Sequence, residues 1–422
     1  MTSASQHHPD GGAAPDYRLR WWVLALAAIA NGAGYYTYDS IAPVADLLHR
    51  ETGFSYAEIG ALTGICSLPN IALGLCGGLL ADRYGPARVA LWSMALATLG
   101  TILTAAGPAF WIMACGRLLF GAGAGAAFVA LLVGVGHWFV GARLGVAMAL
   151  YLSLARLGSY LADLAPQLAK PVFDSGWQAP LWLAAGVCGT GFLAAAVYRT
   201  IEFRQSGRSS GITPRRFNWS VLAGVDPAFW HLLAMSTAFY AVVFPFRSTF
   251  SIEYFQNAKG LSLQQAGITN SWVFLAAIFA TPMFGWLADR SRHQTALMAL
   301  GMLALATSFA ILGATAWPLW ITTVLVGLGY SLIPAILWPA MARIVDLRRL
   351  GTAVGLVTIL QEFGMFICNV VVGQLNDWGH AGRAHPSGYQ PMLWFFGLLS
   401  ATGLVTIATL WMREPTREKS VS

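Results

Sequence analysis

Apolar stretches long enough to cross a bilayer follow one another along almost the whole chain, and no other feature constrains its fold as strongly. A transmembrane helix takes about 20 apolar residues. Such stretches run over about 21–44, 56–81, 89–107, 109–138, 143–168 and 178–198. Beyond a polar interval at 200–226 come six more, over about 228–256, 263–288, 294–314, 317–345, 350–376 and 391–412. Only 10% of the 422 residues are charged, against about 25% in a soluble globular protein. This excludes a water-soluble enzyme of two or three domains. It predicts an all-α membrane protein of twelve transmembrane helices in two six-helix bundles. The expected divisions are a tail at 1–20, a first bundle at 21–199, a linker at 200–226, a second bundle at 227–413 and a tail at 414–422.

A net charge of +7 would suggest a nucleic-acid partner in a soluble chain. Here the cations flank apolar spans, where they set orientation instead. Eighteen of the 25 Lys and Arg fall on the side holding both termini. Four lie on the opposite side (Arg50, Lys170, Lys259 and Arg383) and three inside spans. Both termini and the linker are therefore expected in the cytoplasm. Ala28-Ile29-Ala30 has the form of a signal-peptide cleavage site, but apolar residues continue through Val44, which fits a full span. The five cysteines sit in apolar segments without a CxxC, so they are read as packing residues rather than disulfides or metal ligands. The glycine run at 121–125 follows no strand and lies inside an apolar helix, so it is not a phosphate loop.

An internal repeat is visible. Gly78–Gly85 (GLLADRYG) recurs 207 residues later as Gly285–Arg292 (GWLADRSR), each copy closing the second span of its half. The first copy, running on to Arg88, resembles the signature loop of the major facilitator superfamily. That resemblance covers residues 20–413 and implies two pseudo-symmetric bundles. It also implies coupling roles for Asp82, Arg83, Arg88, Asp289 and Arg290, with the acid set against a neighbouring helix N-terminus.

Ionisable groups at bilayer depth cost about 2.5–3.5 kcal/mol each even on insertion scales, so they face a cavity or a partner. The third, sixth, ninth and twelfth spans carry none, which makes them lipid-facing. Asp39, Arg117, Arg156, Asp163, Arg247 and Glu362 lie on other spans. Adding the repeat offset to Asp39 gives 246, beside Arg247. Both lie about 27 Å from the terminal face at 1.5 Å per residue, which suggests a gate pair. The same offset takes Arg156 to 363, beside Glu362, both near the midplane where substrates bind in such folds. Alternatively Arg156 pairs with Asp163, seven residues on and on the same helical face.

Leu150–Ser159 (LYLSLARLGS), Gly327–Ser331 (GLGYS), Leu337-Trp338-Pro339, Tyr38-Asp39, Phe244-Pro245-Phe246 and Leu350–Ala353 together resemble the lysosomal dipeptide transporter branch and its bacterial relatives. That resemblance implies a substrate carboxylate on Arg156 and an acid on the fourth helix for the amino group. The matching fourth-helix position here is Gly125, which leaves Glu362 or Asp163 to supply the charge. Ser153 and Tyr160 share the face of Arg156, and Tyr330 and Trp338 are candidate lining residues. Arg117 and the glycine run after it resemble the fourth-helix motif of proton-coupled facilitators, so proton coupling enters the expectation; no cofactor or metal does. The expected function is alternating-access transport of a small polar solute, a short peptide or amino-acid-like zwitterion. An organic anion or drug-like compound is the alternative substrate, and a non-transporting receptor or assembly factor the alternative class. A monomer in a bacterial inner membrane is expected, with a small-molecule substrate and the lipid bilayer as its partners.

Overall fold

The computed structural model describes residues 17–73, 76–139, 143–205, 226–291, 293–314, 317–345 and 350–421. Most of the expected linker and the tail before residue 17 lie outside them. Twelve spans are present among the described residues. The first bundle comprises α1 (Tyr17–Asp39), α2 (described over Tyr56–Gly64, Ser67–Leu73 and Cys76–Tyr84), α3 (Pro86–Ala105), α4 (Phe110–Trp138), α5 (Leu144–Leu168) and α6 (Gln178–Gln205). In the second, α7 runs Pro227–Pro245 and continues through a π-turn, Phe246–Phe250, into Ser251–Asn257. It is followed by α8 (Leu263–Arg290), α9 (Gln294–Ala314), α10 (Leu319–Ile344), α11 (Leu350–Trp378) and α12 (Gln390–Val421). Nine of the described helices are long and apolar enough to span a membrane on their own. The other spans are α1 and α5, which carry Asp39, Arg156 and Asp163, and the divided α2. Helix also extends past the apolar stretches at Tyr17, Gln205 and Val421, where the flanking Arg, Gln, Glu and Lys are good helix formers.

Two prolines shape the interior. Pro69 has no N–H and its ring crowds the carbonyl four residues back, so α2 breaks at Ile65–Cys66. At that break Cys66 N–H turns to Thr63 O, at 3.4 Å, and the Leu62 carbonyl is released from the helix ladder. Pro245 does the same to α7, and the helix recovers through the π-turn that carries Arg247. Such π-turns often mark functional positions because the extra residue re-aims the side chains around it.

The halves meet along two seams, α2 against α11 and α5 against α8. α3, α6, α9 and α12 pack on the outside of their own halves and present Trp92, Leu99, Leu193, Leu300, Trp394 and Leu398 to the surroundings. The packing differs between the two membrane faces. On the face opposite the termini (the far side), Ile41, Val44, Ile59 and Leu62 join Phe250, Ile252 and Phe255 of the second half in one apolar core. On the terminal side, Val23, Leu131, Val135 and Tyr198 of the first half form a cluster of their own. The seams are closest on the far side. A Cβ added at Gly60 would lie 2.2 Å from Asn369 O, and one at Gly373 2.3 Å from Tyr56 O, so those helices touch backbone to backbone. The structure is therefore closed on the far side.

Candidate functional site

Three buried charges close the space between the halves. Arg247 Nη1 lies 2.8 Å from Asp39 Oδ1, and its Nη2 lies 3.4 Å from Asp163 Oδ1. Arg247, Asp39 and Asp163 are 2%, 1% and 0% exposed. Asn270 of α8 donates to Asp163 Oδ1 at 2.9 Å and to the Arg247 carbonyl at 3.2 Å. Its own carbonyl accepts from Ser251 at 2.7 Å. The Phe274 ring lies beneath the guanidinium, 3.8 Å from Cζ to the ring centroid. The cluster ties α1 and α5 to α7 and α8.

Asp163, which the sequence places among the substrate-binding residues, pairs here with Arg247. The alternative pair with Arg156 is not formed. Seven residues put the two on one face but about 10 Å apart along the axis, while Arg247 approaches Asp163 directly from the other half. Arg156 turns instead to α8, where it donates to Thr281 Oγ1 and, at 3.4 Å, to Ala277 O. Its guanidinium lies over Tyr330, 5.0 Å from the ring centroid. Tyr330 packs edge-on against Phe244 and Phe274. Ser153 and Tyr160 are half-buried on α5. Tyr160 packs against the core shared by the halves, as does Trp338.

Glu362 of α11 accepts from Asn70 Nδ2 of α2 at 3.3 Å, a second mid-depth link between the halves. Asn70 directly follows Pro69 in the middle segment of α2. Its side chain also fills the space beside Gly125, where an added Cβ would lie 1.9 Å from Asn70 Oδ1. Tyr240 of α7 stacks on Phe244, 5.5 Å between ring centroids. The sequence singles out none of Asn70, Tyr240, Asn270 or Thr281. They are uncharged residues in apolar helices, and only tertiary packing distinguishes them.

Arg117, expected in the gating set, is held within the first half. It donates to Leu62 O at 3.1 Å, Thr37 O at 3.0 Å and Tyr38 O at 3.0 Å. These are the carbonyl freed by the α2 break and two at the end of α1, where the last turn has no intrahelical donors. Asp82 is half-buried and Arg83 and Arg88 are exposed at the terminal side. Arg83 lies over Tyr84 at 5.3 Å and Arg290 over Trp286 at 4.0 Å. Asp289 lies one residue before Arg290, where α8 ends.

A further polar cluster on the far side is not legible in the hydropathy pattern. Glu253, omitted from the interior charges, is fully buried and accepts from Tyr389. Asn257 donates across the halves to Asp46 Oδ1 at 3.0 Å, and Tyr56 and Tyr389 hydroxyls meet at 3.4 Å. Asp377, at the far end of α11, accepts from the backbone N–H of Tyr56 and of Ala57, at 2.8 Å each.

Two six-helix bundles that close around mid-depth charges define a transporter that handles small molecules across a membrane, not an enzyme. The chain belongs to the Major Facilitator Superfamily, whose description it matches over residues 24–251 and 245–422. It is 28% identical over 379 residues to the lysosomal dipeptide transporter MFSD1 of Danio rerio, covering 86% of this chain and 82% of that protein. The Homo sapiens lysosomal dipeptide transporter MFSD1 is 26% identical over 408 residues, covering 93% and 86%. Among solved structures, a mutant of the nucleoside transporter NupG superposes with a TM-score of 0.74 at 12% identity, covering 92% of this chain and 99% of that one.

Proposed function

We propose that the protein carries a short peptide or similar zwitterion by alternating access, with Arg156 taking the carboxylate and Glu362 the amino group. The observation that carries this reading is how the mid-depth charges are used. Arg117 is engaged by backbone carbonyls, and Arg247, Asp39 and Asp163 engage one another. Among the described residues this leaves one cation and one anion at mid-depth whose partners are neutral, Arg156 on Thr281 and Glu362 on Asn70. A site with one charge of each sign suits a zwitterion, whereas a simple anion has no use for the acid. A guanidinium also holds a carboxylate in two parallel hydrogen bonds, which a lysine cannot imitate. The similarity to dipeptide transporters supports the same substrate class.

The positive-inside asymmetry supports cytoplasmic termini, and composition a bacterial inner membrane, with residues 21–199 and 227–413 as the two rocking bundles around the 200–226 linker. Counterflow of a neutral dipeptide in proteoliposomes tests the reading. Arg156→Ala is expected to abolish uptake and Arg156→Lys to recover little. Glu362→Gln is expected to weaken the dipeptide and spare its N-acetylated analogue. Affinity unchanged in Arg156→Ala rules out carboxylate recognition there. A Glu362→Gln variant that binds as well or tighter points to an anion. Repeating the assay with a pH gradient tests proton coupling.

A further inference from the structure

We propose that Asp377 is a latch that holds the far side shut, and that it works at only one of the two symmetry-related corners. The first four N–H groups of a helix have no intrahelical partner. At α2, Ser55 Oγ takes the Glu58 N–H at 3.2 Å and the Glu58 carboxylate takes that of Ser55 at 2.9 Å. The remaining two, on Tyr56 and Ala57, go to the two oxygens of Asp377, each at 2.8 Å. The carboxylate also meets the positive end of the α2 dipole. The cap therefore comes from the opposite half of the protein.

That origin gives it a conformational role. A contact within one half persists in every state and shifts no equilibrium. One that exists only when the halves meet favours the state in which they meet. Opening the far side parts α2 from α11, so both bonds break and three polar groups return to water. Asp82, at the other end of α2, keeps its expected terminal-side role and takes no part in this contact.

The 207-residue offset shows the asymmetry. Ser55 and Glu58 map onto Ser262 and Gln265, which form the same capping box at the start of α8. Asp377 maps onto Lys170, whose ammonium pairs with Asp174 at 2.6 Å. A cation there cannot cap a helix N-terminus. The α2–α11 corner is latched, and its α5–α8 counterpart is not.

The proposal rests on alternating access and not on the substrate, so its test needs no ligand. Spin labels on cysteines at Ser175 and Ala384, exposed far-side residues of opposite halves, report the closed and open distances in a background without native cysteines. Asp377→Asn is expected to raise the open-to-closed ratio about tenfold, as for the loss of one charge-assisted hydrogen bond. Asp377→Ser provides the same reading should the Asn variant not purify. Asp377→Glu is expected to stay mostly closed, and Lys170→Ala to leave the ratio unchanged. Amide exchange at Tyr56 and Ala57 is expected to accelerate in Asp377→Asn. Unchanged distances in both the Asn and Ser variants, or an equal shift in Lys170→Ala, would overturn the proposal.

Discussion

Arg247 and Asp39 meet at 2.8 Å across the two halves, each almost sealed from solvent, and a second carboxylate, Asp163, shares the same guanidinium. The three substitutions are therefore not equivalent. Asp39→Asn leaves Arg247 paired with Asp163, and Asp163→Asn leaves it paired with Asp39. Arg247→Gln leaves two buried carboxylates facing each other. Breaking a buried pair costs about 3–5 kcal/mol, so Arg247→Gln is expected to show the largest losses in transport rate and melting temperature. The charge swap Asp39→Arg with Arg247→Asp is expected to restore only part of the rate, because it places an acid against Asp163. A swap no better than Arg247→Gln would remove the gate role.

Asp82 sits on the last turn of α2, at the terminal edge and far from mid-depth. Asp82→Asn is expected to lower turnover, and Asp289→Asn likewise. Thermal stabilisation by a bound dipeptide should stay nearly unchanged in both. Loss of that stabilisation would put these residues in the binding site.

Arg117 is expected to matter for stability before transport. Arg117→Ala removes a donor from three carbonyls; Thr37 O keeps Ser40 Oγ at 2.8 Å, but the Tyr38 carbonyl loses the donor it has, at about 1–3 kcal/mol. The variant is expected to melt well below the parent, with the little that folds binding substrate normally. A stable Arg117→Ala protein with a changed pH dependence of transport would favour a coupling role instead.

Asn70 links Glu362 to the first half, so Asn70→Ala is expected to weaken dipeptide binding by about tenfold, the scale of one hydrogen bond to a charged group. The N-acetylated analogue should be little affected. Gly125→Ala is expected to do similar damage, since the new methyl displaces the Asn70 amide. Equal losses for both ligands would mean that Asn70 shapes the fold rather than Glu362.

Much of the fold is readable in the sequence because its signals are local. Twelve apolar runs and a repeated GLLADRYG-like loop need no tertiary information. The 207-residue offset also carries the juxtaposition of residues 39 and 247, because a duplicated bundle puts equivalent positions at equal depth. The offset does not reveal side-chain direction. Arg156 and Glu362 are equivalent in depth, yet each turns to a neutral partner on a facing helix, Thr281 and Asn70. Helical face alone sets Asp163 beside Arg156, but a residue one seam away reaches it first. Arg117 reads as a charge in the membrane until the breaks that free its three carbonyls are located. Those breaks depend on Pro69 and on where α1 stops, and both act through geometry absent from a hydropathy pattern.

The glycines of the far-side seam have a mechanical consequence. At Gly60 and Gly373 main chain rests on main chain. The main-chain contact itself has no rotamer to swing aside. Such a joint has no half-way setting, for water cannot be admitted by a local rearrangement. It parts only when one whole bundle turns against the other, as a hinged door leaves its frame along the full edge. The far side is in this sense digital, shut or open, and a carrier built this way resists leaking while its load is in transit.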